Sequence, residues 1–418
     1  MPYDRQGLIL ALIDAGSGAV AGITRLQKLL FLLEREYDLH PADGTEPPRA
    51  RRGGPSEHPG GRSPMSRTMK AVIIDEHGGP EVMAYREVEM PGLQSGQVRL
   101  AMRACSLNYH DILTRRGMPG VRTPLPMVLG CDCAGVIAEM AADVEGWELG
   151  EPVLADPIAR FHPKEDPDPS LVIKFLGDTR WGGYAEYVVV WARQLVRIPG
   201  GVSIETAACL PVAYGSAYRM VVHHGQVAEG KKVLVLGASG GVGNCAVQLA
   251  KSAGCFVVGA CGSEERAATL REKFGVDETI DTSKEDIVAA TRRITGGGLY
   301  RGGGGFDLVV NSQGGEWWAK GLRCVKYGGR MVTNGALAGF DPPTDIRYIF
   351  GGELTVQGSN GWMHEDIAQL LDLVAAGKLA PHIGATYPLD KAIDAHVALE
   401  ERRHFGKIVV TGGAPVLV

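Results

Sequence analysis

A glycine-rich turn is the part of the chain whose residue types and spacing most clearly indicate chemistry. Residues 232–237 form an apolar, β-branched run that predicts a buried strand, and the apolar periodicity of residues 244–253 predicts a helix. The turn between them consists of Gly237, Ala238, Ser239, Gly240, Gly241, Val242 and Gly243. A strand, a tight glycine turn and a helix in this order form the context in which a dinucleotide binds.

Each glycine of this turn has a separate task. Gly237 allows the chain to turn sharply after the strand, and Gly243 allows the helix to pack closely on that strand. Gly240 and Gly241 allow the backbone to approach a diphosphate. The helix then directs its unpaired N–H groups and the positive end of its dipole at the phosphates. We therefore expect a nucleotide to bind where this helix begins.

The composition excludes several classes of protein. The chain has 418 residues, a net charge of −5 and 45% hydrophobic residues, so it can bury a large core and is poorly suited to general nucleic-acid binding. It contains no run of 18 apolar residues, which predicts no membrane span. The first 19 residues lack the basic start and apolar core of a signal peptide. We therefore expect a cytoplasmic protein whose eight cysteines are reduced.

Four regions differ in pattern along the chain. Residues 1–40 predict a short helical extension, and residues 41–68 are rich in Pro, Gly and Arg and predict a linker. Short strands separated by turns predict an antiparallel, barrel-like domain from residue 69, and from residue 207 strands alternate with helices, as in a doubly wound parallel sheet. The predicted strands are residues 70–74, 97–104, 135–140, 185–190, 232–237, 256–260, 308–311, 330–333 and 353–357.

Several motifs outside the glycine turn carry a resemblance to a known family. They are residues 106–111 (SLNYHD), 124–132 (PLPMVLGCD), 182–187 (GGYAEY), 210–218 (LPVAYGSAY) and 405–409 (FGKIV). With these motifs, residues 69–413 resemble the medium-chain dehydrogenase/reductase superfamily. In detail they are similar to its quinone oxidoreductase and "zinc-type alcohol dehydrogenase-like" branches, whose members reduce quinones and activated alkenes with NADPH.

The resemblance implies an α/β fold with two domains. Residues 69–206 and 355–418 would form a GroES-like antiparallel barrel domain that carries catalysis. Residues 207–354 would form a doubly wound parallel (Rossmann) sheet that binds NADP. Members of the family commonly pair through an edge strand of this sheet, which implies a homodimer, here through residues 353–358.

The family's zinc ligands are not matched in this chain. Zinc members hold a catalytic metal with a Cys, a His-Glu pair and a later Cys or Asp, whereas this chain has Asn108 at the first position and Cys131-Asp132 at the pair. The third position falls one residue before Cys209. Cys131, Asp132 and a shifted Cys209 could improvise a site, but three good ligands are needed. Residues 156–178, which match the structural-zinc lobe, contain no cysteine. We therefore expect no metal.

The choice of cofactor depends on the residues after the second strand of the nucleotide-binding unit. NAD-preferring members place an acidic residue there to bind the ribose hydroxyls, and by resemblance that position falls at Cys261. Ser263 and Arg266 could bind a 2′-phosphate. Ser263 also fits the N-cap of the next helix, and Glu264 and Glu265 weaken the case for NADPH unless they point outward. The sequence predicts NADPH as the cofactor.

The remaining site candidates follow from the resemblance. Asn108 and Tyr109 lie where the family places the loop that faces the nicotinamide, so we expect them to contact substrate or cofactor. Further cofactor contacts are expected from Tyr214, Asn311, Asn334, Gly335, Ser359 and Lys407. Apolar pocket residues are expected to be Phe161, Trp181 and Trp362. His110 and His162 are available, but no pattern marks either as a proton donor.

These observations together predict an enzyme. The expected activity is NADPH-dependent transfer of a hydride, without metal, to a quinone or an α,β-unsaturated carbonyl compound. An alcohol dehydrogenase or aldehyde reductase of the same fold is one alternative. The other is a regulatory protein that binds NADPH without catalysis and uses residues 1–64 to dock a partner.

Overall fold

The computed structural model describes residues 67–118, 121–160, 173–297 and 303–417, and these belong to one compact unit. Our predictions for residues 1–40, for nearly all of the 41–68 linker and for Phe161 lie outside the described residues. None of the helices in the described part is long and apolar enough to cross a membrane.

The antiparallel part of the fold is built from short strands, as the sequence predicts. Its strands are β1 (Thr68–Ile74), β2 (Met83–Glu89), β3 (Gln97–Ser106), β4 (Met127–Val128), β5 (Asp132–Met140), β6 (Pro152–Ala155), β7 (Ile158–Arg160), β8 (Ile173–Phe175), β9 (Tyr187–Trp191), β10 (Leu195–Arg197), β17 (Ile383–Pro388) and β18 (Lys407–Thr411). The main sheet has the order β10-β6-β5-β3-β18-β17, with β9 also paired to β3. Two smaller sheets, β2-β1-β4 and β7-β8, complete this GroES-like part.

The parallel sheet follows in the chain. Its strands are β11 (Lys232–Leu236), β12 (Phe256–Cys261), β13 (Glu278–Asp281), β14 (Phe306–Asn311), β15 (Val325–Thr333) and β16 (Thr355–Gly358). They lie in the order β13-β12-β11-β14-β15-β16, and every neighbouring pair is parallel. The predicted Rossmann sheet is therefore confirmed.

Helices in the described residues cover the sheets and connect them. They are α1 (Tyr109–Arg116), α2 (Ile204–Ala208), α3 (Ser216–Tyr218), α4 (Gly241–Ser252), α5 (Glu264–Phe274), α6 (Ile287–Thr295), α7 (Glu316–Cys324), α8 (Ile346–Gly351), α9 (His364–Ala375) and α10 (Ala392–Glu400). Two π-helical segments, Leu210–Gly215 and Arg219–His224, flank α3. Three short 3-10 turns are Pro80–Val82, Ala192–Gln194 and Leu389–Lys391.

The central strand β11 explains why the parallel sheet is buried on both faces. Val233 and Val235 belong to one core cluster, whereas Leu234 and Leu236 belong to another. Successive strand residues point to opposite faces, so a continuous apolar run requires a cover of helices on each side. This arrangement places the carboxyl end of β11 directly before the glycine turn and α4.

One predicted boundary differs from the structure. The sequence-based division placed residue 355 and all that follow in the barrel domain, but β16 pairs with β15 and places Gly358 beside Thr333. The parallel sheet thus continues past residue 354, because the main-chain groups of β15 need a partner strand.

The C-terminal return joins the two parts of the fold at the glycine turn. The Gly406 N–H donates to the Ser239 carbonyl oxygen at 2.9 Å, immediately before β18 begins. Val409 in β18 pairs with Ser106 in β3. The last strand of the barrel sheet therefore starts against the turn that ends the first Rossmann strand.

Candidate active site

The glycine turn has the geometry that the sequence predicts. Gly237 has a φ of +67°, which favours glycine, and a Cβ on Gly243 would lie 2.3 Å from the Gly237 carbonyl oxygen. Gly240 precedes α4 in extended conformation, and no side chain caps the helix there. The first N–H groups of α4 are therefore available to an anion such as a diphosphate.

The turn is closed on one side by a lysine from the C-terminal return. A Cβ on Gly241 would lie 2.9 Å from Cδ of Lys407 and 3.1 Å from Cβ of Ala213. The side chain of Lys407 is only 3% exposed. Because glycine at position 241 leaves this space open, the lysine stem and the π-helical segment Leu210–Gly215 pack directly against the start of α4.

The ammonium group of Lys407 belongs to a buried polar network. Its Nζ donates to the Leu107 carbonyl oxygen at 2.8 Å and to Asn108 Oδ1 at 2.5 Å. It also lies 3.6 Å from Oδ2 of Asp132, which is fully buried. The same Oδ2 accepts from Asn108 Nδ2 at 2.8 Å and from Ser106 Oγ at 2.9 Å.

The network compensates for the burial of the Asp132 carboxylate only in part. Its second oxygen, Oδ1, accepts from the Val212 N–H at 2.9 Å. Burial raises the pKa of Asp132, and the charge of Lys407 and the hydrogen bond from Asn108 oppose that rise. A charged Asp132 therefore depends on Lys407 and Asn108, and this network fixes both side chains beside the glycine turn.

The start of α1 positions Asn108 and Tyr109. The Asn108 N–H donates to Asp111 Oδ2 at 2.8 Å, and Asp111 Oδ1 accepts from the Cys131 N–H at 3.1 Å. Asn108 is buried in the network, as expected of a site residue. The Tyr109 hydroxyl instead donates to the Leu399 carbonyl oxygen at 3.3 Å, so its proton is used within the protein.

The ends of β15 and β16 carry buried polar atoms that lack partners. Oδ1 of Asn334 and Oγ of Ser359 are both buried without a hydrogen bond among the described residues. The Ser359 N–H donates to the Thr333 carbonyl oxygen at 2.8 Å, which holds this edge together. Gly335 adjoins Asn334, and a Cβ there would lie 2.8 Å from the Ser312 carbonyl oxygen. Orphaned polar groups at this edge of the sheet fit a ligand that offers both donors and acceptors, such as a carboxamide.

Two other expected cofactor residues are occupied within the protein. Asn311 Oδ1 accepts from the N–H groups of Gln313 at 3.0 Å and Gly314 at 3.2 Å, so it shapes the turn after β14. Tyr214 is fully buried, and its hydroxyl donates to Asn244 Oδ1 at 2.8 Å. The side chains of Asn311 and Tyr214 are therefore both engaged in hydrogen bonds within the protein.

The residues after β12 combine a helix cap with a basic group. Ser263 Oγ accepts from the Arg266 N–H at 3.4 Å and so caps α5. The Arg266 guanidinium donates to the Arg402 carbonyl oxygen. Glu264 forms ion pairs with Arg271 and Lys284, and the hydrogen bond from Arg271 is the main cause of its lowered pKa.

The tryptophans of the expected pocket lie in different places. Trp362 is 3% exposed, and its indole N–H donates to Asp156 Oδ1 at 3.1 Å. The Trp181 indole N–H donates to the Pro126 carbonyl oxygen at 2.9 Å. Trp181 lines a cavity of about 460 Å³. All residues that line this cavity lie between positions 69 and 189, so none of them belongs to the parallel sheet.

The donors at the family's zinc positions do not fit a tetrahedral zinc centre. Asn108 offers an amide, and the Asp132 carboxylate already accepts three hydrogen bonds and faces the Lys407 ammonium. Burial raises the pKa of the Cys131 thiol far above its ordinary value and that of the Cys209 thiol to about 12. The described residues contain no group of three His, Cys, Asp or Glu side chains suited to a metal.

Sequence reasoning did not find the partnership between Asp132 and Lys407. It treated Asp132 only as a remnant of a metal site and Lys407 as a phosphate contact. The available signal was a carboxylate within the buried run 127–138, because a buried charge requires a partner. The position of that partner, 275 residues later, needs the fold.

Comparison with known proteins follows the same division of the chain. The family described as an alcohol dehydrogenase GroES-like domain matches residues 94–200, and the zinc-binding dehydrogenase family matches residues 241–376. A solved NAD-dependent alcohol dehydrogenase is 33% identical with a TM-score of 0.76, and the match covers 82% of this chain and 100% of that one. The chain belongs to the medium-chain dehydrogenase/reductase superfamily.

Other relatives of this superfamily member carry different activities. Human quinone oxidoreductase is 27% identical over 337 residues, which cover 79% of this chain and 93% of that protein. The solved 2-octenoyl-CoA carboxylase reductase in complex with NADP and 2-octenoyl-CoA is 27% identical, with a TM-score of 0.74 over 84% of this chain and 89% of that one. The medium-chain dehydrogenase/reductase described here is therefore an oxidoreductase, from a family whose members bind NAD(P)H.

Proposed function

We propose that this protein is an NADPH-dependent reductase of quinones or α,β-unsaturated carbonyl compounds that acts without a metal. The observation that carries the proposal is the network of Asn108, Asp132 and Lys407 beside the glycine turn. By resemblance, Asn108 and Asp132 occupy positions that carry ligands in the zinc members of the family, and the Lys407 ammonium contacts both side chains. Polarisation of a substrate oxygen therefore falls to hydrogen-bond donors.

The bound cofactor would be held along one edge of the parallel sheet. The N–H groups at the start of α4 would bind the diphosphate, and Asn334 and Ser359 would bind the carboxamide of the nicotinamide. Lys407 would supply positive charge between them, because its stem packs against Gly241. NADPH supplies the hydride when bound, and the protein orients the substrate toward it.

Asn108 is the residue that would meet the substrate oxygen. One amide hydrogen of its Nδ2 is used by Asp132, whereas the contacts of Nδ2 to the Ser106 carbonyl oxygen and to Cys131 Sγ are both 3.4 Å long. The second hydrogen therefore has only long contacts within the protein and is the one that would donate to a substrate oxygen. The Lys407 ammonium on Oδ1 polarises the amide and strengthens it as a donor.

The charges near the end of β12 favour NADPH over NADH. Cys261 offers no carboxylate that would repel a 2′-phosphate, and Glu264 is engaged by Arg271 and Lys284. The pKa of His404 is lowered chiefly by burial and further by the charges of Arg266 and Lys407, so positive groups converge here. The related structures include one described as NAD-dependent and one bound to NADP, so the preference rests on this chain's own residues.

The first test is loss of reduced-nicotinamide absorbance with quinones, enones, enoyl thioesters and aldehydes, using NADPH and NADH. We expect turnover of quinones or enones with a preference for NADPH. Removal of the charge in Arg266→Ala should raise KM for NADPH by about 10-fold or more and leave KM for NADH nearly unchanged. An unchanged preference would contradict the role of Arg266.

Two other results would redirect the proposal. Turnover of aldehydes alone, or stoichiometric zinc by elemental analysis, would favour an alcohol dehydrogenase of the same fold. Binding of NADPH without any turnover would favour a regulatory protein. We also propose a cytoplasmic homodimer that pairs through β16, for which the exposed apolar side chains near that strand provide support.

A further inference from the structure

We infer that His110, oriented by Asp178, is the catalytic acid that protonates the reduced substrate. This inference rests on the proposed reductase function and adds the proton donor to it. His110 lies in the first turn of α1, two residues after Asn108. An acid that serves the substrate oxygen has to be reachable from the amide that polarises it, and the two side chains leave neighbouring positions at the start of one helix.

The ring of His110 is held by a buried carboxylate and an aromatic ring. Its Nε2 lies 3.2 Å from Asp178 Oδ2, although the two are not aligned for a hydrogen bond, so the contact is electrostatic. The Phe175 ring packs at 4.6 Å from the imidazole ring, tilted by 45°. Asp178 is nearly buried and has no other ion-pair partner among the described residues. The carboxylate and the Phe175 ring therefore hold the His110 ring in one orientation.

The geometry leaves one ring nitrogen for the substrate. Nε2 is buried against Asp178, yet the His110 side chain is 24% exposed. No described residue bonds to Nδ1, so the accessible edge of the ring carries Nδ1 as a donor. The division of labour between an oriented nitrogen and a working nitrogen is common for catalytic histidines.

A series of contacts connects His110 with the glycine turn. From His110 they run to Phe175, whose ring centroid is 6.4 Å from that of Trp362. A Cβ on Gly215 would meet the Trp362 ring at 2.8 Å, so this ring packs on the π-helical segment Leu210–Gly215.

The segment Leu210–Gly215 also contacts the start of α4, where the cofactor is proposed to bind. Ala213, within it, adjoins Gly241, and Gly241 adjoins the stem of Lys407. Lys407 bonds to Asn108, two residues before His110. The contacts thus link His110 to Gly241 and Asn108 in one continuous set beside the start of α4, where the cofactor is proposed to bind.

The proton balance of the step is simple. The C4–H bond of reduced nicotinamide would break, and its hydride would form a C–H bond at the β-carbon of an enone. The C=C π pair would then join the α-carbon to the carbonyl carbon, and the C=O π pair would move to the oxygen. The Nδ1–H bond of protonated His110 breaks and an O–H bond forms, which gives an enol that becomes the saturated ketone. Neutral His110 then regains a proton from solvent. Among the described residues, the charged group facing the ring is Asp178, and the neighbouring face is covered by uncharged Phe175.

The test compares His110→Gln with the wild type on an enone and on a quinone. We expect the enone kcat to fall by about 100-fold or more, because an enolate needs the acid, and the quinone kcat to fall less, because a hydroquinone anion is a weak base. The NADPH dissociation constant from fluorescence titration should change less than twofold. His223→Gln, on a half-exposed histidine paired with Asp366, is the matched control.

A second variant keeps the test decisive if His110→Gln folds poorly. Asp178→Asn should lower the enone kcat more than the quinone kcat, because the imidazole loses the carboxylate that orients it. An enone kcat within threefold of the wild type in His110→Gln, or equal losses of enone and quinone kcat in Asp178→Asn, would overturn the role of His110. Absence of turnover by the wild type would instead overturn the proposed function and this inference together.

Discussion

Asp132 and Lys407 show how a single pair of charges can define a site. Taken alone, each would be costly in the interior, because a buried charge without a partner destabilises a protein by about 3–5 kcal/mol. Together they fix the donors of Asn108 and Ser106 around one carboxylate. The consequence is a buried polar centre in which the carboxylate, the ammonium group and the amide hold one another in place.

A second buried network lies behind the first and makes a prediction about pH. His396 is fully buried, its Nδ1 lies 3.1 Å from Arg115 Nη1, and its Nε2 lies 3.2 Å from the Tyr184 hydroxyl. Burial, with a further contribution from the charge of Arg115, lowers the pKa of His396 to about 3. The folded protein therefore holds this ring neutral at pH values where the unfolded chain binds a proton.

The sign of the effect follows from linkage. The contribution of His396 to stability is complete above the unfolded pKa and is lost as pH falls toward the folded value. From pH 6.5 to pH 5 the loss is about 2 kcal/mol. In His396→Asn, which does not titrate, the difference in unfolding free energy between these two pH values should shrink by about that amount in denaturant titrations. An equal pH dependence in wild type and His396→Asn would contradict the buried, neutral state of this ring.

The segment from β11 through the glycine turn to α4 could be predicted almost completely from the sequence. The predicted strand 232–237 and the observed β11 differ by one residue, because the β-branched run and Gly237 leave little choice of conformation. The helix begins earlier than the predicted residue 244, at Gly241. Apolar periodicity cannot register the first turn of a helix when glycines occupy it.

The partners across the cleft could not be predicted in the same way. Lys407 bonds to Asn108, although 299 positions separate them in the chain. His110 contacts Asp178, which lies in the loop that follows β8. Periodicity reports which face of an element is buried, but not which distant side chain faces it. Tyr109 illustrates the limit, since its position beside Asn108 suggested a site role, whereas its hydroxyl bonds to the backbone of α10.

The glycine turn itself supports a direct prediction. In Gly243→Ala the new Cβ would lie 2.3 Å from the Gly237 carbonyl oxygen and 2.7 Å from Ala238 Cα, both of which are backbone atoms. The start of α4 must therefore shift, at a cost of about 1–3 kcal/mol in folding free energy. Its N–H groups would then no longer point at the diphosphate. We expect the dissociation constant for NADPH to rise at least about 10-fold by fluorescence titration.

Gly200→Ala is the matched control for this substitution. Gly200 lies in a loop, and its added Cβ would meet no atom within 4 Å. NADPH affinity and thermal midpoint should stay at their wild-type values. If Gly243→Ala bound NADPH as tightly as Gly200→Ala, the turn would not be the diphosphate site.

The distribution of apolar surface makes a prediction about assembly. Phe340, Ile346 and Phe350 are 67%, 64% and 69% exposed, and all three lie in the segment between β15 and β16. β16 is an edge strand of the parallel sheet, so its outer main-chain groups lack a strand partner in the described residues. Exposed aromatic side chains beside an open sheet edge are typical of a surface that is covered by another molecule. We propose that a second copy of the chain covers it.

Substitution of two of these side chains tests the proposed dimer. Ile346→Glu combined with Phe350→Glu places charges where the interface would bury apolar surface, so sedimentation equilibrium at micromolar concentration should change from dimer to monomer. Leu149→Glu is the control, because Leu149 is an apolar side chain that is 57% exposed on the barrel part of the fold. If the wild type sediments as a monomer, the surface serves some other partner. If both variants remain dimeric, the chains pair elsewhere and β16 is an edge protected only by its short length of four residues.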